Sequence, residues 1–404
     1  MGVLGLKKDS MPNSTLDVVV AGHLCLELIP RFLNPTGLKI NQILRPGSLV
    51  NTAEMTIGTG GAVSNTGFAL RIFGCNTAYI AKIGNDAIGA MTLDILRKYG
   101  SSEGVVLADG VEGSYTVSIA PAGVDRIFLH CPGANDEFTQ QDIDFDLVKK
   151  ARLFHFGYPT LMKRLFQNDG REAVRLLENA KQTGATTSLD ITLPDPNSAG
   201  GKADWNRIYR QMLPAVDIFM PSIEEAYYTL FPEKYLDRLA ETEGQEIIDL
   251  FTPDDYAEIA DRFLSMGCAM VVLKSGHNGW YFKSAAAARF QKMGKATPSS
   301  IGQWADTEMW CPAFAVKSIA SAAGAGDNSI AAFLAALLRD YSPVQCLKLA
   351  NCAGYMNLKS LDTLGGLPAW DDLVKMSGTL SVADVVPLRN AGWHWQKDHQ
   401  LWRK

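Results

Sequence analysis

The chain has 404 residues, more than one compact core usually spans, and predicts one large domain of roughly 300 residues or more with a smaller appendage or insertions. With 47% hydrophobic and 20% charged residues, it has the makeup of an ordinary globular protein. The formal charge of −5 comes without a basic run, which argues against a nucleic-acid or anionic-membrane surface and for a small-molecule partner.

The start, "MGVLGLKKDSMPNSTLD", lacks an apolar core followed by a cleavage site, and Leu6 breaks the myristoylation pattern. "LDVVVAG" (16–22) then reads as a buried strand ended by glycine. "TAEMTIGTGGAVSNTGFALRIFG" gives a strand, a glycine turn and an amphipathic helix ending at Gly74. "NTAYIAKIG" is a strand, and "DAIGAMTLDILRKYG" is a helix closed by Gly100. The alternation continues with strand "RLFHFG", helix "GREAVRLLENAKQTG", strands "ATTSLD" and "VDIFM", helix "YAEIADRFLSMG" and strand "AMVVLKSG". Strands alternating with helices of this length predict βαβ units, a mostly parallel sheet and helices on both of its faces.

Two regions break the rhythm. Residues 26–60 and 113–136 read as strands without intervening helices; the second is a hairpin turning near "PAGVD" (121–125), and the two predict a small β lid. The acidic segment 231–256, with "ETEG", and the segment 285–310 read as insertions or loops. The tail carries Trp393, Trp395 and Trp402, which predict docking on the body of the protein. Seven scattered cysteines without a CxxC pair and six histidines without HExxH argue against a disulfide framework or a zinc site, and for a reducing compartment. With no apolar run of about 18 residues, a cytoplasmic protein is expected.

The most informative stretch is "SIASAAGAGDNSIAAFLAALLRD" (318–340). Gly324, Ala325 and Gly326 lead into a helix whose first turn holds Asp327. The first N–H groups of a helix lack intrahelical acceptors, and glycines let that backbone approach an anion. A dinucleotide site is excluded, because Ser329 stands at the third glycine position and Asp327 would face a pyrophosphate. The pattern suits a carboxylate that takes a proton from a hydroxyl while neighbouring amides hold an arriving phosphoryl group. An aspartate that only caps the helix is the plain alternative, worth about 0.5–2 kcal/mol. No GxxxxGK[ST] occurs, so a P-loop mechanism is excluded.

With these residues in view, the sequence resembles the PfkB-type, ribokinase-like carbohydrate kinases over 16–375. The resemblance rests on "GTGGAVSNTGFALRIFG", "YIAKIGNDAIG", "PGAND", "VDIFMPSIEEA", "VVLKSGHNGWYF", "GAGDNSIAAFLAALL" and "KLANCAGYMNLKSLDTLGGLP", in the family's order. It implies a three-layer α/β/α sandwich with a mostly parallel central sheet. The core would comprise 16–25, 61–112 and 137–375, the β lid 26–60 and 113–136, and the Trp-rich tail 376–404. It further implies ATP-dependent phosphorylation of a hydroxyl on a sugar, sugar acid or nucleoside, with ATP and Mg²⁺ as cofactors. Asp327 would be the base, and Gly324, Ala325 and Gly326 the anion hole. Glu27, Gly61 and Asn65 would bind substrate, Lys274, Gly276, Gly279 and Asn351 would lie beside the nucleotide, and Glu225 and Ser222 would organise the metal. A homodimer through the lid is the partner it suggests.

Several positions depart from the family pattern. Glu27 replaces the usual aspartate five residues after the first-strand glycine, moving the carboxylate roughly 1.5 Å outward. Ser222-Ile223-Glu224-Glu225 replaces N-x-x-E, and Ser321-Ala322-Ala323 replaces D-T-x, removing the aspartate associated with a monovalent cation. "SLDITLPDP" keeps Asp190 alone of the usual Asp-x-Asn-x-Arg. These changes mark a divergent member with an unusual substrate. The alternative they suggest is a weak or inactive sugar- or nucleotide-binding regulatory pseudokinase, against which the retained Asp327 argues.

Overall fold

The computed structural model describes residues 16–34, 37–121, 127–242, 245–360, 362–383, 388 and 392–404. The N-terminal segment read for targeting signals and residues 122–125 of the expected hairpin turn lie outside these residues, as do two residues of "ETEG".

The strands are β1 (Leu16–Gly22), β2 (Cys25–Phe32), β3 (Thr52–Gly60), β4 (Thr77–Gly84), β5 (Ser101–Ala108), β6 (Tyr115–Ile119), β7 (Ile127–Cys131) and β8 (Ala151–Gly157). They continue with β9 (Thr186–Asp190), β10 (Ile218–Phe219), β11 (Met270–Lys274), β12 (Trp280–Ser284), β13 (Glu308–Cys311), β14 (His394–Gln396) and β15 (Leu401–Arg403). The main sheet has the order β14-β15-β13-β12-β11-β10-β9-β8-β1-β4-β5. From β11 to β5 every neighbouring pair is parallel, and from β11 to β14 every pair is antiparallel. A second sheet, β3-β2-β6-β7, stands apart, formed by the two segments expected to make a lid.

The apolar runs follow from burial on both faces. Along β1, Val19 and Ala21 join one core cluster and Val18 and Val20 the other, as period-two side chains of a covered parallel sheet must. On the first face pack the helices Lys163–Gln182, Trp205–Met212 and Pro253–Ser265, through Leu176, Tyr209 and Phe263. On the second pack Ala62–Ile72, Ala325–Leu338 and Pro343–Asn357, through Leu70, Phe333 and Leu347. This is a three-layer α/β/α sandwich with a mostly parallel sheet. The helix Ala325–Leu338 is buried at every position from Asp327 onward, so its alanines allow close approach of the helices on either side, and its head is rigidly placed.

The segment 26–60 also contains the short helix Ile40–Ile43, between β2 and β3. Segment 231–256 carries the helix Pro232–Ala240, and 285–310 leads through two short helices into β13. The tail adds β15 to the edge of β13, and Trp393, 5% exposed, packs on Tyr281 and Trp310. None of the seven cysteines is in a disulfide. Among the described residues no helix is long and apolar enough to cross a membrane.

Candidate active site

β1, β8, β9, β10 and β11 run parallel in one sheet, so the residues at or after the carboxyl ends of β1, β8, β9 and β11, namely His23, Tyr158, Asp190 and Lys274, share the edge where open α/β folds bind ligands. Asp327 arrives there from the buried helix. Gly324, in the left-handed conformation at φ 73°, occupies the N-cap, and the helix has no side-chain cap. The carboxylate therefore does not serve as a cap. It is 5% exposed and accepts three side-chain hydrogen bonds. Tyr158 OH donates to Oδ1 at 2.7 Å, Thr66 Oγ1 to Oδ1 at 3.2 Å, and Asn65 Nδ2 to Oδ2 at 3.1 Å. Asn65 and Thr66 belong to the helix Ala62–Ile72, which packs along the Asp327 helix. The Oδ1 of Asn65 is buried without a partner, a costly arrangement that suits an incoming donor.

Beside this lies a charged group. Lys274 Nζ donates to Asp190 Oδ1 at 2.5 Å and to Met220 O at 2.7 Å, and stands 3.8 Å from Glu225 Oε2. Burial opposes the ammonium, but Asp190, Glu225 and Asp327 around it hold Lys274 above the usual lysine range, so the charge persists. Its stem runs past Gly326, where a Cβ would lie 3.5 Å from Cδ and Cε. Ser222 and Glu225 are engaged with each other: Glu225 N donates to Ser222 Oγ at 3.1 Å, and Ser222 N to Glu225 Oε2 at 2.6 Å. That reciprocal pair is a capping box on the helix Ile223–Leu230.

The lid closes the other side. Glu27 on β2 accepts from Ser118 Oγ of β6 at 2.8 Å. Gly61, at φ 94°, sits where a Cβ would come within 2.5 Å of His23 O and 2.6 Å of His23 Nδ1, so packing on His23 alone demands glycine there. His23, 3% exposed and held neutral with its pKa lowered to about 3 by burial and by His130, reaches His130 of β7 at 3.4 Å. Asn135 of "PGAND" donates to Leu24 O and accepts from Leu24 N, tying the segment after β7 to the start of β2.

Gly276 and Gly279, at φ 46° and 91°, form the turn between β11 and β12. A Cβ on Gly279 would lie 2.1 Å from Cys311 O, so the turn abuts the segment after β13. Asn351 donates to Cys311 O and Pro312 O at 3.0 and 3.1 Å, fixing the same segment from the helix Pro343–Asn357. The structure thus brings Asn65, Lys274, Gly326 and Asp327 together, with Asp190 and Glu225 on the same group, while Gly279 and Asn351 meet the segment 311–313 and Gly276 lies in the same turn as Gly279.

Sequence reasoning missed Tyr158, Thr66 and His23. The available signal for Tyr158 was "GYP": a bulky residue between a strand-ending glycine and a proline, found here at φ 67°. That conformation costs a non-glycine residue about 1–3 kcal/mol.

A large, mostly parallel sheet, a small separate sheet that meets it at His23 and Leu24, and an aspartate at the head of a buried helix define a two-sheet α/β architecture. The pfkB family carbohydrate kinase model matches residues 16–370, and the chain belongs to that family. An uncharacterized sugar kinase of Archaeoglobus fulgidus is 24% identical over 296 residues, 73% of this chain and 96% of that protein. Fructokinase-1 of Oryza sativa subsp. japonica is 23% identical over 342 residues, 81% of this chain and 91% of that one. The structure of Arabidopsis thaliana ribokinase complexed with ribose and ATP aligns with a TM-score of 0.64 at 16% identity, covering 90% of this chain and 99% of that one. The fold is therefore ribokinase-like.

Proposed function

We propose that this protein transfers the γ-phosphoryl group of ATP to a hydroxyl of a sugar, sugar acid or nucleoside, with Asp327 as the general base. The observation that carries this reading is the Asp327 carboxylate, held at a helix head by Asn65, Thr66 and Tyr158 in place of capping the helix. The acceptor hydroxyl gives its proton to Asp327 as its oxygen bonds to phosphorus and the bond to the leaving ADP oxygen breaks. The backbone at Gly324, Ala325 and Gly326 receives the phosphoryl oxygens, since a helix offers no internal acceptor to its first amides. The stem of Lys274 runs alongside Gly326 and packs against this loop, while its ammonium is held by Asp190 and Met220 O.

Glu27, Gly61 and Asn65 face the acceptor in this reading, with the orphaned Asn65 Oδ1 available to a sugar hydroxyl. Gly276, Gly279 and Asn351 support the nucleotide side. Mg²⁺ fits the charge pattern, because Asp190, Glu225 and Asp327 surround a single ammonium. Mg²⁺ takes few protein ligands and keeps most of its waters, so one or two of these carboxylates would suffice. When bound it neutralises charge on the transferring phosphoryl group, with Glu225 and Asp190 as the side chains nearest that duty.

The fructokinase relatives and the ribose-bound structure make fructose and ribose the first acceptors to assay, followed by sugar acids and nucleosides. An ADP-release assay is expected to find turnover with one of these, reduced 10²–10⁴-fold in Asp327→Asn. An Asp327→Asn enzyme that turns over at the native rate overturns the reading. Thermal stabilisation by a ligand, with no turnover on any acceptor, replaces it with a regulatory binder.

A further inference from the structure

We propose that Tyr158 is the positioning residue of the transfer: its phenolic O–H anchors Asp327 Oδ1 and leaves Oδ2 as the oxygen that meets the acceptor hydroxyl. This rests on Asp327 being the base. The two carboxylate oxygens are unequally engaged. Oδ1 receives Tyr158 at 2.7 Å and Thr66 at 3.2 Å, which occupies both of its lone-pair directions. Among the described residues Oδ2 receives a side-chain bond from Asn65 alone, at 3.1 Å. A base needs a vacant lone pair on the atom that takes the proton, so the doubly bonded oxygen is the handle and the other is the working atom.

The backbone at Tyr158 singles out the same residue. It stands at φ 67°, ψ 41°, immediately before Pro159, a pairing of left-handed geometry, bulky side chain and following proline that sterics disfavour. A turn alone would be served by glycine, and a space-filling ring by phenylalanine. What tyrosine adds is the hydroxyl, and that hydroxyl is aimed at Asp327. Backbone and ring are both engaged: Tyr158 N donates to Asp190 O at 3.0 Å, and its ring centroid lies 6.1 Å from that of His23. Burial, with Asp327 beside it, raises the phenol well above its ordinary range, so it stays a donor at any physiological pH.

Tyr158→Phe removes the donor and keeps the ring. The expected result is a kcat lowered roughly 10- to 100-fold, with KM for the acceptor changed less than about threefold, because the base is misaimed while the pocket persists. Assays below the temperature at which circular dichroism detects unfolding of the variant separate this from a loss of folded protein. In an Asp327→Asn background, Tyr158→Phe is expected to add nothing, since no carboxylate remains to aim. An unchanged kcat overturns the proposal. So does a raised KM with kcat retained, which would make Tyr158 an acceptor-binding group, or a further loss in the Asp327→Asn background. An active Asp327→Asn enzyme instead sinks the base itself, whereas a dead Asp327→Asn enzyme beside a fully active Tyr158→Phe enzyme sinks only the positioning role.

Discussion

His23 and His155 are sealed in the interior, each with its pKa lowered from 6.5 to about 3, first by burial and then by His130 in one case and Lys274 in the other. The unfolded chain protonates these rings near pH 6.5, while the fold refuses the proton until about pH 3. Their contribution to stability is thus complete above pH 6.5 and is lost progressively as pH falls toward 3, at about 1.4 kcal/mol per pH unit for each ring. Glu224 works in the opposite direction, because burial and Glu225 push its carboxyl up to about 7, so the fold gains a proton as pH falls from 7 toward 4.5. A difference measurement isolates the imidazole. In urea titrations at pH 7 and pH 5.5, His155→Gln is expected to lose about 1 kcal/mol less stability on acidification than the native chain. Equal pH dependence in the two proteins would show that His155 is protonated within the fold.

At the level of single elements, the start of the helix Ile223–Leu230 carries a motif with two readings. Ser222 and Glu225 stand where the family pattern places a metal-organising pair, yet S-x-x-E is also the signature of a capping box, and the reciprocal bonds are present. Ser222→Ala is expected to cost about 1 kcal/mol of stability, roughly 1–2 °C in a chain of this size, and to leave the Mg²⁺ dependence of turnover unchanged. A shifted Mg²⁺ requirement with an unchanged melting point would return Ser222 to the metal. The same contrast explains what was legible in advance. Alternating apolar runs and glycine stops gave the parallel strands, and "GAGD" gave the position of Asp327 at a helix head, because those signals are local. Tyr158 and Thr66 meet Asp327 across 169 and 261 residues of chain. That meeting exists only because the sheet sets β8 beside β1 and lays one helix along another, so nothing near either residue announces it. The segment 285–310 hid β13 for a related reason: four residues, Glu308–Cys311, find their partner by antiparallel pairing with β12 and carry little pattern of their own.

Over the whole molecule, the antiparallel extension of the main sheet links the chain's last residues to the proposed nucleotide side. β15 pairs with β13, Leu401 is 1% exposed in the core, and Trp393 packs on Tyr281 and Trp310. Trp310 in turn donates from Nε1 to Asn278 O at 2.8 Å, inside the turn that holds Gly276 and Gly279. Deleting 393–404 therefore removes two buried side chains worth about 1.5–3 kcal/mol each, a large share of a typical 5–15 kcal/mol. It also bares the edge of β13, which invites association between chains. The expected outcome is a melting point lowered by several degrees and concentration-dependent aggregation on warming. Below that temperature, KM for ATP should rise while KM for the acceptor stays put, because the deleted strand pairs with β13 whereas Asp327 is held by Asn65, Thr66 and Tyr158. A truncated chain with native affinity for ATP would mean that the β11–β12 turn holds its shape without the tail, and the sheet extension would then serve stability alone.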